Sequence, residues 1–176
     1  VGIGVAFLVV ASRGGRGTEV DPSVDPYAED PPDSGATVDV GDYATELPDG
    51  WEYTATSNGS ENQAVFTDGP NRVLAYAFAA GDDDVATELL PALVKRRLNG
   101  FAGTLGEPDD ESGGGPQWAR LLASGTLSGK RVRLIADLWL PTLGDALLTV
   151  QVLAAGEGSS IADAAQGIVD ALSSGF

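Results

Sequence analysis

The sequence predicts an α+β domain: an antiparallel β-sheet flanked by helices, running as a short opening hairpin followed by β-β-β-α-β-β-β-α. Short β-prone segments separated by Gly, Asn, Asp and Pro turns mark sequential hairpins. Two segments instead repeat their apolar residues at helical spacing. In the long segment Lys130 to Leu140, the even positions Val132, Leu134, Ala136, Leu138 and Leu140 are all apolar, whereas the odd ones mix Arg131, Arg133 and Asp137 with Ile135 and Trp139. A sheet wet on its odd face would not carry Ile135 and Trp139 there, so both faces are expected to be at least partly covered by helices.

Three regions are expected: a membrane or signal segment over 1–17, an acidic spacer over 18–36 and a globular domain over 37–176. Val1 to Ala11 is an unbroken apolar run followed by Ser12, Arg13 and Arg16. As a helix it rises only roughly 16 Å, about half the hydrocarbon thickness of a bilayer. It reads as the end of a transmembrane helix, as a signal-peptide core with Val9 and Ala11 before a cut at Ser12, or as a buried helix. A chain opening on Val in such a run, with no Met anywhere, is expected to start further upstream. From Thr18 to Ala36 there are six acids, four prolines and no base. Mutual repulsion and a lack of apolar groups leave nothing to offset ordering entropy, which predicts an extended spacer. A localisation at the cell membrane with an extracytoplasmic domain follows, or secretion if the segment is cleaved.

Strands are predicted at Thr37 to Val40, Tyr43 to Glu46, Glu52 to Ser57, Gln63 to Asp68 and Arg72 to Ala80, with turns at Pro48-Asp49-Gly50, Asn58-Gly59-Ser60 and Asp68-Gly69-Pro70-Asn71. Asp82-Asp83-Asp84 is expected to cap a helix through about Phe101, with Val85, Leu89, Leu93 and Phe101 on one side and Lys95-Arg96-Arg97 complementing the dipole near its end. Pro91 should kink this helix or make it restart. Gly103 to Gly115, rich in acids and glycine, reads as a mobile loop. Three longer strands follow at Gln117 to Thr126, Lys130 to Leu140 and Ala146 to Ala155, joined by Leu127-Ser128-Gly129 and Pro141-Thr142-Leu143-Gly144. The last element, Ser160 to Leu172, is expected to be a helix capped by Ser160 with Asp163, burying Ile161, Ala165, Ile168 and Leu172.

Composition narrows function. The chain has 26 acids against 10 bases, a formal charge of −16, which repels phosphate backbones and anionic surfaces. Nucleic acid is therefore not an expected partner, and membrane contact is expected through the N-terminal segment alone. Cys and His are both absent. That removes thiolate nucleophiles, disulfides, the usual zinc ligands and every His-dependent triad. Ser124, Ser128, Ser159 and Ser160 lie in no nucleophile-elbow context, and Ser128 with Lys130 across a tight turn points outward. No cofactor and no metal are expected, because Asp82 to Asp84 lack the alternating spacing of a calcium loop and Asp109-Asp110-Glu111 would bind calcium only weakly.

Two groups of residues remain as candidates. Six of the eight bases in the folded part form the clusters Lys95-Arg96-Arg97 and Lys130-Arg131-Arg133, which would make one anion or partner surface if the helix packs so that they meet. Trp51, Trp118 and Trp139 are core residues or the lining of a ligand cleft.

Leu47-Pro48-Asp49-Gly50-Trp51 after a short opening hairpin, the element order, and a final helix running into Ser174-Gly175-Phe176 resemble the PsbP-like fold, over Thr37 to Phe176. This α/β/α sandwich family takes in Mog-type Ran-binding proteins, DcrB-type proteins and the LpqN-type envelope proteins of actinobacteria. The Ala-, Gly- and Asp-rich composition also looks actinobacterial. The resemblance implies an accessory or binding protein and transfers no active site. The chain departs from it in having neither the lipid-bearing cysteine of the LpqN kind nor the histidines some plant members use. The expected function is a noncatalytic, tethered binding or scaffold domain that recognises an envelope protein or small envelope component. An apolar-ligand carrier and a carboxylate-dependent wall-glycan hydrolase are the alternatives.

Overall fold

The computed structural model describes residues 35–81, 84–110, 112 and 115–176. The expected membrane segment, nearly all of the acidic spacer, and Asp82, Asp83 and Glu111 lie outside the described residues. Among the described residues no helix is long and apolar enough to cross a membrane.

β1 (Thr37–Val40) and β2 (Tyr43–Glu46) pair only with each other. The main sheet holds β3 (Glu52–Ser57), β4 (Glu61–Asp68), β5 (Asn71–Phe78), β6 (Phe101–Leu105), β7 (Asp109–Asp110), β8 (Gln117–Leu127), β9 (Lys130–Leu140) and β10 (Ala146–Ala154). Its order is β3-β4-β5-β10-β9-β8-β6, with β7 also on β8, and every pairing is antiparallel. Two meanders are thus joined where β10 returns beside β5. Their registers come from tight turns. Ser128 (φ 51°) and Gly129 (φ 78°) both adopt the left-handed conformation that a two-residue hairpin loop requires.

Two helices cover the sheet from opposite sides. The even face of β9, with Ala119 and Leu121 of β8 and Leu148 and Val150 of β10, buries Leu90, Leu93 and Val94 of α1 (Ala86–Arg97). The opposite face buries Ala165, Ile168, Val169 and Leu172 of α2 (Ser159–Ser173), together with Val38 and Val40 of the small hairpin, against Phe66, Val73, Ala75, Leu147 and Leu153. Each such side chain contributes roughly 1.5–3 kcal/mol by leaving water. The coverage of both faces inferred from Ile135 and Trp139 is what the chain has.

Several local expectations are corrected. The segment read as a mobile loop contains the last three residues of β6 and all of β7, and Phe101, expected at the end of the first helix, opens β6. Gly103 sits directly opposite Gly125, where a Cβ would fall 2.5 Å from Ser124 O on one strand or 2.4 Å from Ala102 O on the other, and the Phe101 ring lies across both glycines. Glycine here permits close approach of two strands, with an aromatic ring filling the gap. The first helix is shorter at both ends than predicted: its N-cap is Val85, with no side-chain cap, while the Asp84 carboxylate accepts a bond from Gly81 N (2.7 Å) instead. It neither stops nor restarts at Pro91. Ser160 does not cap α2 either; the helix begins at Ser159, so the N-cap is Gly158, which makes no side-chain bond, and Ser160 lies inside the first turn.

Candidate binding cleft

The β8–β9 hairpin assembles the site by register alone. Counting outward from the Leu127 and Lys130 pair at its turn, Arg120 faces Asp137 and Trp118 faces Trp139. All four are on the α2 side, because Trp139 and Asp137 are odd positions of β9. The two indoles stack with centroids 5.8 Å apart and planes 12° from parallel. Beyond Trp139 the stack continues to Phe176 (6.0 Å) and from Phe176 to Tyr43 (5.2 Å), forming a column of four rings. Trp139 is buried within it, and Trp118 forms its half-buried outer end.

Beside the column lies a buried charge. Asp137 has no exposed surface, and its carboxylate accepts bonds from Arg120 Nε (2.6 Å), Arg120 Nη2 (3.2 Å) and Trp118 Nε1 (3.3 Å). A carboxylate so deep in the sheet would be costly unless paired and hydrogen-bonded, and the guanidinium fork does both. The Arg120 guanidinium also lies 5.5 Å from the Trp118 ring centroid, so the cation, the indole and the anion hold one another in place.

The facing wall is α2. Gln151 Nε2 donates to Gln166 Oε1 (2.9 Å), and Gln166 Nε2 donates to Asp170 Oδ1 (2.7 Å), so a sheet residue orients both polar groups of the helix. Ser112 forms the lip. Its Oγ accepts from Trp118 N (2.7 Å), and Asp110 Oδ1 accepts from Ser112 N (2.9 Å). Hydrogen bonds from Ser112 hold the Asp110 carboxyl below its ordinary value. At the far end of the column, burial first and then Asp145 and Asp42 push the Tyr43 phenol up to about 12, and its hydroxyl donates to Asp145 O. Together these elements bound a cleft of about 540 Å³ lined by Trp118, Trp139, Arg120, Gln166, Asp170 and Phe176, among others. Ligand sites for small molecules commonly occupy roughly 300–1,000 Å³.

Of the three tryptophans considered as cleft residues, Trp118 and Trp139 meet in the cleft. Trp51 does not line it; it is buried in the core under the small hairpin. The two basic clusters are not brought together. Arg97 is on the α1 side, paired with Glu61 and lying 4.3 Å over the Tyr76 ring, with Lys95 and Arg96 exposed beside it. Arg131 and Arg133 occupy odd positions of β9 and project from the opposite, α2 side, while Lys130 lies exposed at the turn. A single anion surface made of both clusters is therefore ruled out by the alternation of the strand.

Sequence reasoning missed Arg120, Asp137, Gln166, Asp170 and Phe176. For the first two a signal existed, since a two-residue turn at Ser128-Gly129 sets the pairing of Arg120 with Asp137 as surely as that of Trp118 with Trp139. For Phe176 and α2 there was none, because helix placement over a sheet follows from no local pattern.

No protein-family model matches the chain, and no curated protein is significantly similar to it. Among solved structures it is similar to the cyanobacterial PsbP protein CyanoP from Synechocystis sp. PCC 6803, with a TM-score of 0.53 and 12% identity over 73% of this chain and 84% of that one. A protein of unknown function, PA94 from Pseudomonas aeruginosa, gives 0.45 with 15% identity over 78% and 94%. LpqN of Mycobacterium tuberculosis, involved in cell envelope biogenesis, gives 0.40 with 22% identity over 78% and 83%. The element order, the antiparallel sheet between two helices and the likeness to CyanoP together show that the chain has the PsbP-like fold.

Proposed function

We propose that this protein is a noncatalytic binding domain, carried on the outer side of a membrane by its N-terminal segment, whose small ligand enters the Trp118–Trp139 cleft. The observation that carries this reading is the half-buried Trp118 face at the end of a rigid ring column, set beside polar groups oriented in advance. A ring-shaped envelope component could stack on the indole and bond to Gln166 and Asp170 and to Ser173, which also lines the cleft. Preorganised groups of this kind lose little entropy on binding. The location rests on the apolar run at Val1 to Ala11 and the acidic, proline-rich stretch after it.

Catalysis fits less well. A glycan hydrolase needs two carboxylates free to exchange protons or attack, at roughly 5–9.5 Å. Both Asp137 oxygens are held by Arg120. Ser112 Oγ is engaged with the Trp118 backbone, and the Asp110 carboxylate beside it accepts from the Ser112 N–H and is held below its ordinary value, which makes it a weak base. A carrier for purely apolar ligands fits less well too, since Arg120, Gln166 and Asp170 would lose water without gaining partners.

The test is a titration of the protein with fractionated small envelope components, read by tryptophan emission. At least one fraction should give a saturable change that disappears in Trp118→Ala, with the circular dichroism spectrum retained. Saturable binding that survives intact in Trp118→Ala would overturn the cleft assignment.

A further inference from the structure

The α2 side of the sheet holds a second feature, at the opposite end of β8 and β9 from the aromatic column and about 20 Å away along the strands. Arg131 and Arg133 are both exposed and, being two residues apart on β9, share one face. Among the described residues neither forms an ion pair with a carboxylate. Their cross-strand partners are uncharged: Thr126 and Ser124 on β8, and Leu153 on β10 for Arg133. Between them is a hollow of about 510 Å³ lined by Ser124, Gly125, Thr126, Arg131, Arg133 and Ala155. Glu157 borders a separate, smaller hollow on the other side of Arg133.

The usual reasons for exposed bases on a sheet do not apply. Charges that protect a sheet from pairing with other chains sit on edge strands, and β9 lies between β8 and β10 in the interior. Solubility does not call for them in a chain of formal charge −16. Two like charges on one strand face repel each other, and here no opposite charge across the strand relieves them. A dianion between the two guanidiniums would, and each planar fork matches a pair of phosphate oxygens. Ser124 offers a further donor. We propose that Arg131 and Arg133, with Ser124, form a phosphate-binding site separate from the aromatic cleft. Leu122 (57% exposed) and the half-buried Ile135 lie on the same face, on the side towards the cleft, so the phosphate could be free or the head of an amphiphile.

The full chain is titrated with inorganic phosphate and, in a second arm, with dodecyl phosphate below its micelle concentration, each against chloride at matched ionic strength. Backbone amide shifts are followed by NMR. Phosphate should move the resonances of Ser124, Thr126, Arg131 and Arg133 saturably and chloride should not. Arg131→Gln or Arg133→Gln should weaken binding about tenfold or more, and Arg→Lys at both positions by less, since charge remains while the fork is lost. Lys95→Gln with Arg96→Gln removes two charges from the other side of the sheet, more than either single variant, and should still leave the affinity within about twofold. Tenfold tighter binding of dodecyl phosphate assigns the site to a lipid head, and equal affinity to free phosphate. The proposal is overturned if phosphate moves nothing that chloride does not, if the Gln variants bind as the parent does, or if the Lys95 and Arg96 changes weaken binding as much as theirs. Trp118→Ala should leave phosphate binding intact, which separates this site from the cleft.

Discussion

The two faces of β9 differ in what they bury, although they belong to the same eleven residues. Towards α1 the buried residues of the strand and its two neighbours are all Ala, Val and Leu, and the helix answers in kind. Towards α2 it carries Asp137 and Trp139, with Thr149 and Gln151 of β10 alongside, all buried. The Thr149 hydroxyl has no hydrogen-bond partner among the described residues. An aliphatic interface needs only volume and complementarity, whereas each buried polar group needs a partner with the right geometry. The α1 side is therefore the fold's anchor. The α2 side accepts polar groups in the core, and that is where the cleft forms.

The largest effect expected from this contrast is on the anchor. Leu138 is fully buried against α1, and Leu138→Ala should lower unfolding stability by about 3–5 kcal/mol through lost transfer energy and a cavity. Urea unfolding measures this, while ligand titration of the surviving folded fraction should be unchanged. A loss below about 1 kcal/mol, or weakened cleft binding, would mean the two faces are not separable as argued.

On the other face the expected loss is smaller and of another kind. Asp137→Ala leaves the Arg120 guanidinium without its carboxylate, but its side chain is 32% exposed and can regain water, so about 2 kcal/mol is expected rather than the larger cost of an isolated buried charge. Replacing both partners, Arg120→Leu with Asp137→Leu, should restore part of that stability, because two apolar groups need no partners. The double variant should still lose cleft binding. If it binds ligand as the parent does, the ion pair plays no part in the site.

This asymmetry also explains what could be read in the chain. The α1 face of β9 was visible as five apolar residues in alternation, and the hairpins were visible because turn residues such as Ser128-Gly129 have few other uses. β6 was hidden by Gly103, whose role depends on Gly125 and Phe101 across the strands and on no local preference. Asp137 stood in plain view as an acid between Ile135 and Trp139. Its meaning needed Arg120, and hence the register. Phe176 and Tyr43 join the column only because α2 and the small hairpin pack on the same face, which is a tertiary fact.

The smallest effect lies at the far end of that column, where the polar cost is met by a single backbone oxygen. The Tyr43 hydroxyl donates to Asp145 O, and its folded value of about 12 exceeds the 10.0 of an unburied phenol, chiefly through burial. Unfolding therefore releases this proton more readily than the native state does, so the contribution is complete below about pH 10 and fades as the pH rises towards 12. Tyr76 is raised as well, by burial, partly offset by Arg97, and adds in the same direction. Tyr43→Phe should cost about 0.5–1.5 kcal/mol at pH 8, the net worth of one hydrogen bond. Between pH 10 and 12 the parent should lose stability faster than the variant, so that the gap narrows, while the share due to Tyr76 persists in both. Parallel urea midpoints for the two proteins across that range would mean that the Tyr43 hydroxyl is solvated, and that the ring column ends at Phe176.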